Sequence, residues 1–105
     1  MDIKEFQKKC SDVVDKIDKK YGIDRNPQLA FTQLVEEIGE LAKDINLPKL
    51  RNKKPDKENL EGEFADVFLL LANIAEMHGI DIENAVHNKI RELKERGYLE
   101  QKWKP

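Results

Sequence analysis

Two carboxylates stand where a helix should be apolar. In EGEFADVFLLLANI, residues 61–74, Glu63 and Asp66 are three positions apart and share a helix face. At about 100° per residue Glu63 projects between Leu70 and the pair Val67 and Ile74, while Asp66 is flanked by Leu70 and Met77. An unpaired ionised carboxylate in such surroundings costs several kcal/mol, so it must take a proton, meet a cation or face a wet cavity. A matching set lies upstream in LVEEIGELAKDI, where Glu36, Glu37, Glu40 and Asp44 occupy one face beside an apolar stripe, with only Lys43 near enough to relieve their repulsion. If the two helices pack antiparallel, Glu37 and Glu40 oppose Glu63 and Asp66. The result is an all-oxygen site suited to Mg²⁺, with Mn²⁺ as a substitute. Neither His78 nor His87 completes the Glu-x-x-His pattern of di-iron bundles, which argues against imidazole-loving metals. Spacing alone would not single these acids out, because 21 acidic residues in 105 produce many such pairs by chance. Their apolar neighbours do; Asp12, Asp15 and Asp18, by contrast, read as a solvated face of the first helix.

The anomaly recurs with opposite sign further on. Lys89 and Arg96 fall in line with Ile82, alongside Val86 and Leu93, so both cations start from the apolar side of their helix. Arg96, near the helix end, can snorkel to water; Lys89 is mid-helix and reads as functional. Divalent-metal ligands with inward cations nearby suit polyphosphate chemistry, in which the metal bridges oxygens and Lys or Arg offsets the remaining charge. The expected substrate is an anion.

Four helices must position these groups, and no stretch reads as a convincing strand. In the first, Ile3, Phe6, Cys10, Val13, Ile17 and Tyr21 recur at steps of three and four, forming an amphipathic stripe that ends at Gly22. Pro27 opens a second helix, running to about Ile45 with the stripe Phe31, Leu34, Val35, Ile38, Leu41, Ala42 and Ile45. NLPKLRNKKPDKEN, carrying Lys49, Arg51, Lys53, Lys54 and Lys57, reads as a mobile connection. The third helix is expected over Leu60 to Met77, broken at Gly79. Asp81 is a plausible N-cap for a fourth, from Ile82 to about Arg96, followed by a tail with Tyr98 and Trp103.

Size and composition set the frame. Residues 1–105 are expected to form one domain, large enough for one core but small enough that self-association is a reasonable prior. Acidic residues (21) nearly balance basic ones (19), which argues against a general nucleic-acid binder. The single Cys10 has no disulfide partner in the chain and no metal-site spacing, pointing to a reducing, cytoplasmic compartment. No apolar run has signal-peptide or membrane-spanning length, so a soluble protein without membrane contact is expected.

At this point the residues resemble a family. EEIGE (Glu36, Glu37, Glu40) followed by EFAD (Glu63, Asp66) is similar to the EExxE…ExxD signature of the MazG-like, all-α nucleoside triphosphate pyrophosphohydrolases. GIDIENAVHNKI resembles the helix bearing that family's phosphate-contacting lysine, here Lys89. The likeness covers roughly residues 28 to 96; beyond the lysine, the family's Asn and Arg-Tyr are only approximated by RELKERGYLE, which contains Arg96. The resemblance implies an all-α, four-helix MazG-like bundle assembled as a homodimer or homotetramer, with sites that draw on neighbouring subunits. It implies Mg²⁺-dependent hydrolysis of a nucleoside triphosphate between the α and β phosphorus, giving monophosphate and pyrophosphate. Glu37, Glu40, Glu63 and Asp66 would hold metal, Glu36 would serve as base or second ligand layer, and Lys89 would steady negative charge. Thr32, Gln33, Asn73 and the basic connection are candidates to touch the nucleotide. The third helix, apolar on almost every side, is expected to give Leu69, Leu70 and Ala72 to a subunit interface. Two other readings stay open: a non-enzymatic helical oligomerisation module whose acids pair with Lys89, Arg91 or loop lysines, and a metal-storage or redox carboxylate bundle.

Overall fold

A computed structural model describes residues 1–47, 54 and 56–102. Among them the chain forms four α-helices and no strand: α1 (Ile3–Tyr21), α2 (Pro27–Ile45), α3 (Lys57–Met77) and α4 (Ile82–Glu95). Local chemistry fixes the ends. Asp2 Oδ1 accepts from the Glu5 N–H at 2.8 Å, Asn26 Oδ1 from the Leu29 N–H at 2.8 Å with Pro27 just inside, and Asp81 Oδ1 from the Asn84 N–H at 3.3 Å. Gly22 closes α1 in the left-handed region, φ 66°. α3 begins three positions before its expected start because Asp56 caps it, accepting from the Glu58 N–H at 3.0 Å, so Lys57 is helical rather than part of the connection. The rest of the expected mobile connection, save Asn46, Leu47 and Lys54, and the tail residue Trp103 lie outside the described residues.

α3 is the central element, packed against α1 on one side and α2 on another, while α4 rests on α1. Val14, Leu34 and Leu70, one residue from each of the first three helices, form the buried centre, with Val67, Leu69 and Ile74 packed around it. Ala30, Ala72 and Ala75 let the helices approach closely. Leu70 and Ala72 are therefore buried within the chain, so the expectation that α3 offers these two to another subunit is corrected; Leu69 packs on the core but is only partly buried.

α1 also turns a different face inward from the one its periodicity marks. Ile3, Phe6, Val13, Ile17 and Tyr21 are exposed, and the buried face is Gln7, Cys10, Ser11, Val14 and Asp18. Each polar member of that face has a partner from elsewhere in the chain. Gln7 donates through Nε2 to the Ile80 carbonyl and accepts at Oε1 from the Ile82 N–H, both at 2.8 Å, which ties the α3–α4 turn to α1. Ser11 Oγ and Asp15 Oδ1 accept from Asn73 Nδ2 at 3.0 and 3.1 Å. Asp18 binds Arg25. The reading of Asp18 as part of a solvated face is thus wrong: it is buried, and a buried polar group is stable only with its hydrogen bonds made, as they are here to Arg25, whereas Asp15 is exposed as expected and only lends one oxygen to Asn73. Along α2 only Ala30 and Leu34 are buried, leaving Phe31, Val35, Ile38 and Ile45 as an exposed apolar stripe.

Candidate active site

α2 and α3 run antiparallel, and the register follows from their contacts. Asn59 Nδ2 donates to Asp44 Oδ2 at 2.9 Å, Glu63 lies against Asp44, Asp66 shares a cleft with Glu37, and Leu70 meets Leu34. This brings Glu63 against the acidic face of α2, while Asp66, exposed, shares only the cleft with Glu37 and is not among the acids acting on Glu63. Glu63 is half-buried, and its Oε2 is sealed from solvent with no hydrogen-bond donor. Its pKa is pushed up to about 7, foremost by a hydrogen bond to Asp44, then by desolvation, then by the negative charges of Asp44, Glu40 and Glu37. Four acids therefore crowd one place. Asp44 is the member not singled out from the sequence as a ligand, although it lies on the same helix face; only the antiparallel register makes it the immediate neighbour of Glu63.

The cleft beside this cluster, about 210 Å³, opens between α1, α2 and α3 and is lined by Glu37, Asp66, Gln33, Arg25 and Asp18 together with the apolar Val14, Ile17, Leu69 and Leu70. Arg25 was not singled out from the sequence. It donates from Nε to Asp18 Oδ2 at 2.6 Å and from Nη2 to Asp18 Oδ1 at 2.9 Å, both side chains being nearly buried, and from Nη1 to Gln33 Oε1. The hydrogen bond to Asp18 raises the guanidinium pKa further, so the group is a permanent cation. Glu36 is exposed and faces a neighbouring groove with Leu29, Thr32 and Gln33; it is not among the charges acting on Glu63.

The two cations on α4 are not brought to these acids within the chain. Lys89 Nζ donates to Glu92 Oε2 at 2.9 Å, Arg96 lies 3.5 Å from Glu92 Oε1 and over the Tyr98 ring, and all three charged side chains are largely exposed. The helix wheel put Lys89 and Arg96 on the inner side, but α4 is held chiefly at its start, through Gln7, and buries none of its residues fully.

The family model for the MazG nucleotide pyrophosphohydrolase domain matches residues 25–97. The chain belongs to the MazG family. Comparison with curated proteins and with solved structures gave no match. The span that matches the MazG model takes in α2, α3 and α4, hence every acid of the cluster, and Arg25 at its first position; α1, with Asp18, lies outside it. Membership makes the chain one of the nucleotide pyrophosphohydrolases, hydrolases that act on acid anhydrides, and MazG enzymes use a divalent metal. The residues present suit such an ion. The donors are all carboxylate oxygens, hard ligands of the sort Mg²⁺ and Mn²⁺ take, and the orphaned Glu63 Oε2 wants positive charge. No group of three or more potential ligands among the described residues is already gathered at ligating spacing. The site is a close pair, Glu63 and Asp44, on which the charges of Glu40 and Glu37 also act, and mutual repulsion is what a cation would relieve. No helix of the chain is long and apolar enough to cross a membrane among the described residues.

Proposed function

We propose that this MazG domain hydrolyses a nucleoside triphosphate between the α and β phosphorus in a reaction that depends on Mg²⁺ or Mn²⁺. The observation that carries the reading is Glu63, a carboxyl group with one oxygen sealed off and three further acids acting on it, in a chain with a phosphate-hydrolase family match. Glu37, Glu40, Glu63 and Asp66 would hold the metal, with Asp44 as a further candidate. When bound, the ion polarises phosphate oxygens and lowers the pKa of a water ligand toward neutrality. The chain's own residues do the rest. With a cation held there, the cluster would draw the phosphates to the cleft beside Glu37 and Asp66, whose apolar walls would exclude bulk water. Glu36 is the proposed proton acceptor for the attacking water, acting from the edge of the site. Water adds to the α phosphorus as the bond to the bridging oxygen breaks, so the products are the monophosphate and pyrophosphate. A cytoplasmic setting accords with Cys10, a free, buried thiol whose pKa burial pushes up and which is therefore unreactive. Pyrophosphate release from a panel of standard and modified nucleoside triphosphates with Mg²⁺ is the direct test. We expect release from at least one and none in excess chelator; no release from any would end the proposal.

The oligomerisation-module alternative has its acids paired with Lys89, Arg91 or loop lysines, but among the described residues no cluster acid forms an ion pair. Assembly is nonetheless part of the proposal. Phe31, Val35, Ile38 and Ile45 run as an exposed stripe along α2, the exposed fraction reaching 61% at Phe31, and Lys89 and Arg96 lie on the surface short of the acids. A second copy of the chain seated on that stripe would cover the apolar surface and bring cations toward the phosphates, as homodimer or homotetramer. Val35→Lys is expected to yield monomers by sedimentation and to lower activity with them. A wild-type monomer at micromolar concentration with full activity would exclude assembly as a requirement.

A further inference from the structure

Resting on the hydrolase reading, we infer that Arg25 is a positioning residue for the nucleotide. It fastens the α1–α2 connection across the cleft, to α1 through Asp18 and to α2 through Gln33, and so sets the spacing of the two walls between which the substrate is held. The topology calls for such a fastening. α1 runs antiparallel to α3, with Gln7 hydrogen-bonded to Ile80, Ser11 and Asp15 to Asn73, and Asp18 sharing the cleft with Asp66. α2 is antiparallel to α3 as well, so α1 and α2 are parallel; both pack on α3 and hardly on each other. Asp18 stands near the end of α1, whereas Glu37, which shares the cleft with the same Asp66, lies about 15 Å along α2 from its start at Pro27. The connection, residues 22–26, therefore has to run back along the cleft rather than turn in place. Such a connection leaves the two walls free to part unless something joins them.

Arg25 is that join. Its Nε and Nη2 donate to the two oxygens of Asp18 on α1, and its Nη1 donates to Gln33 Oε1 on α2, one turn from Glu37. Among the described residues no hydrogen bond or ion pair joins α1 to α2 directly, so the tie between the walls passes through this guanidinium. Both charged side chains are nearly buried, 8% and 9% exposed, and a planar fork held by three donors fixes direction as well as distance, which a single flexible ammonium does not. The candidate metal ligands, by contrast, all belong to α2 and α3: Glu37, Glu40, Asp44, Glu63 and Asp66. Loss of the bridge should loosen the wall that α1 supplies through Val14 and Ile17 and leave the acids arranged as they are. Because α1 lies outside the span that matches the MazG model, the bridge also ties a wall from outside that span to the matched domain.

The test measures two kinds of binding on the full chain. Mn²⁺ is titrated alone and followed by electron paramagnetic resonance; the α,β-imido analogues of dATP, dCTP, dGTP and dUTP are then titrated with Mn²⁺ present. Asp18→Leu with Arg25→Met removes the bridge without stranding a charge, and Arg25→Lys keeps a cation against Asp18 but puts one nitrogen where the bridge uses three. Both variants are expected to take up Mn²⁺ as wild type does and to bind the best of the four analogues about tenfold or more weakly. In turnover, KM should rise with kcat little changed. A bridge that only holds the fold together would lower the urea midpoint while the folded variants kept the wild-type affinity for the analogue, and that result would overturn the inference. Full analogue affinity in Arg25→Lys, or a loss of Mn²⁺ binding in step with analogue binding, would overturn it too; should the double variant not fold, Arg25→Lys decides. A wild type that binds none of the four analogues and releases no pyrophosphate would overturn the hydrolase reading itself, whereas equal affinities in wild type and variants would overturn the inference alone.

Discussion

Glu63→Gln is expected to lower pyrophosphate release by at least about 100-fold, since even outer partners of metal ligands cost 10–100-fold when removed, while leaving the metal-free protein at least as stable above neutral pH. The amide fills the same space but cannot ligate as an anion, and it carries no charge to repel Asp44, Glu40 and Glu37. The pH dependence has a definite sign. Glu63 titrates near its ordinary 4.5 in the unfolded chain and at about 7 in the folded one, so between those values the folded state holds a proton that unfolding releases. Its contribution to stability is full below the lower value and is lost as pH rises through the upper one. The difference in thermal midpoint between wild type and Glu63→Gln, measured at pH 5 and pH 8 without metal, should therefore shift in favour of the variant at the higher pH. Millimolar Mg²⁺ at pH 8 should raise the wild-type midpoint by mass action, the gain in stability being about 2.7 kcal/mol at a hundredfold excess over Kd, and leave the variant unmoved. Full turnover by Glu63→Gln, or equal responses of the two proteins to pH and Mg²⁺, would remove Glu63 from the site.

The second large effect is on folding. Asp18→Leu should destabilise the chain by about 3–5 kcal/mol, the usual cost of leaving one member of a buried ion pair without its partner. Arg25 would keep its charge in a site where it is nearly inaccessible, with only the Gln33 oxygen to receive it. Adding Arg25→Met should recover most of the loss, because apolar replacement of both partners is often neutral. Urea unfolding of the single and double variants measures both. A loss below about 1 kcal/mol in Asp18→Leu would mean that the pair is solvated in solution and contributes as a surface salt bridge does.

How much of this was legible in the sequence varies with the range of the interaction. Helix ends were, because a cap, a first-turn proline or a left-handed glycine acts within a few residues: Gly22, Pro27 and Asp81 stand where the chain changes direction. The start of α3 was not, since Asp56 lies in a basic, proline-bearing stretch that reads as connection. The acidic cluster was legible for the same local reason. Three- and four-residue steps fix which carboxylates share a helix face, and apolar neighbours mark Glu63 as out of place whatever it packs against.

Tertiary structure alone decided the rest. Periodicity marks an apolar stripe on α1 but cannot say what it meets. The inward face was chosen instead by partners far along the chain, Ile80 for Gln7 at 73 residues' separation and Asn73 for Ser11 at 62. Asp18 and Arg25, seven apart across a turn, look like two ordinary surface charges until the helices close over them. Asp44 becomes the neighbour of Glu63 only through the antiparallel register of α2 and α3, and Lys89 stays at the surface because α4 is anchored at its first turn rather than along its length. Sequence by itself determined that these four stretches are helical, the start of α3 apart, and which acids share a face, since both depend on backbone geometry repeated every few residues. Which faces meet depended on hydrogen bonds and contacts between segments dozens of residues apart, and only the folded chain sets those.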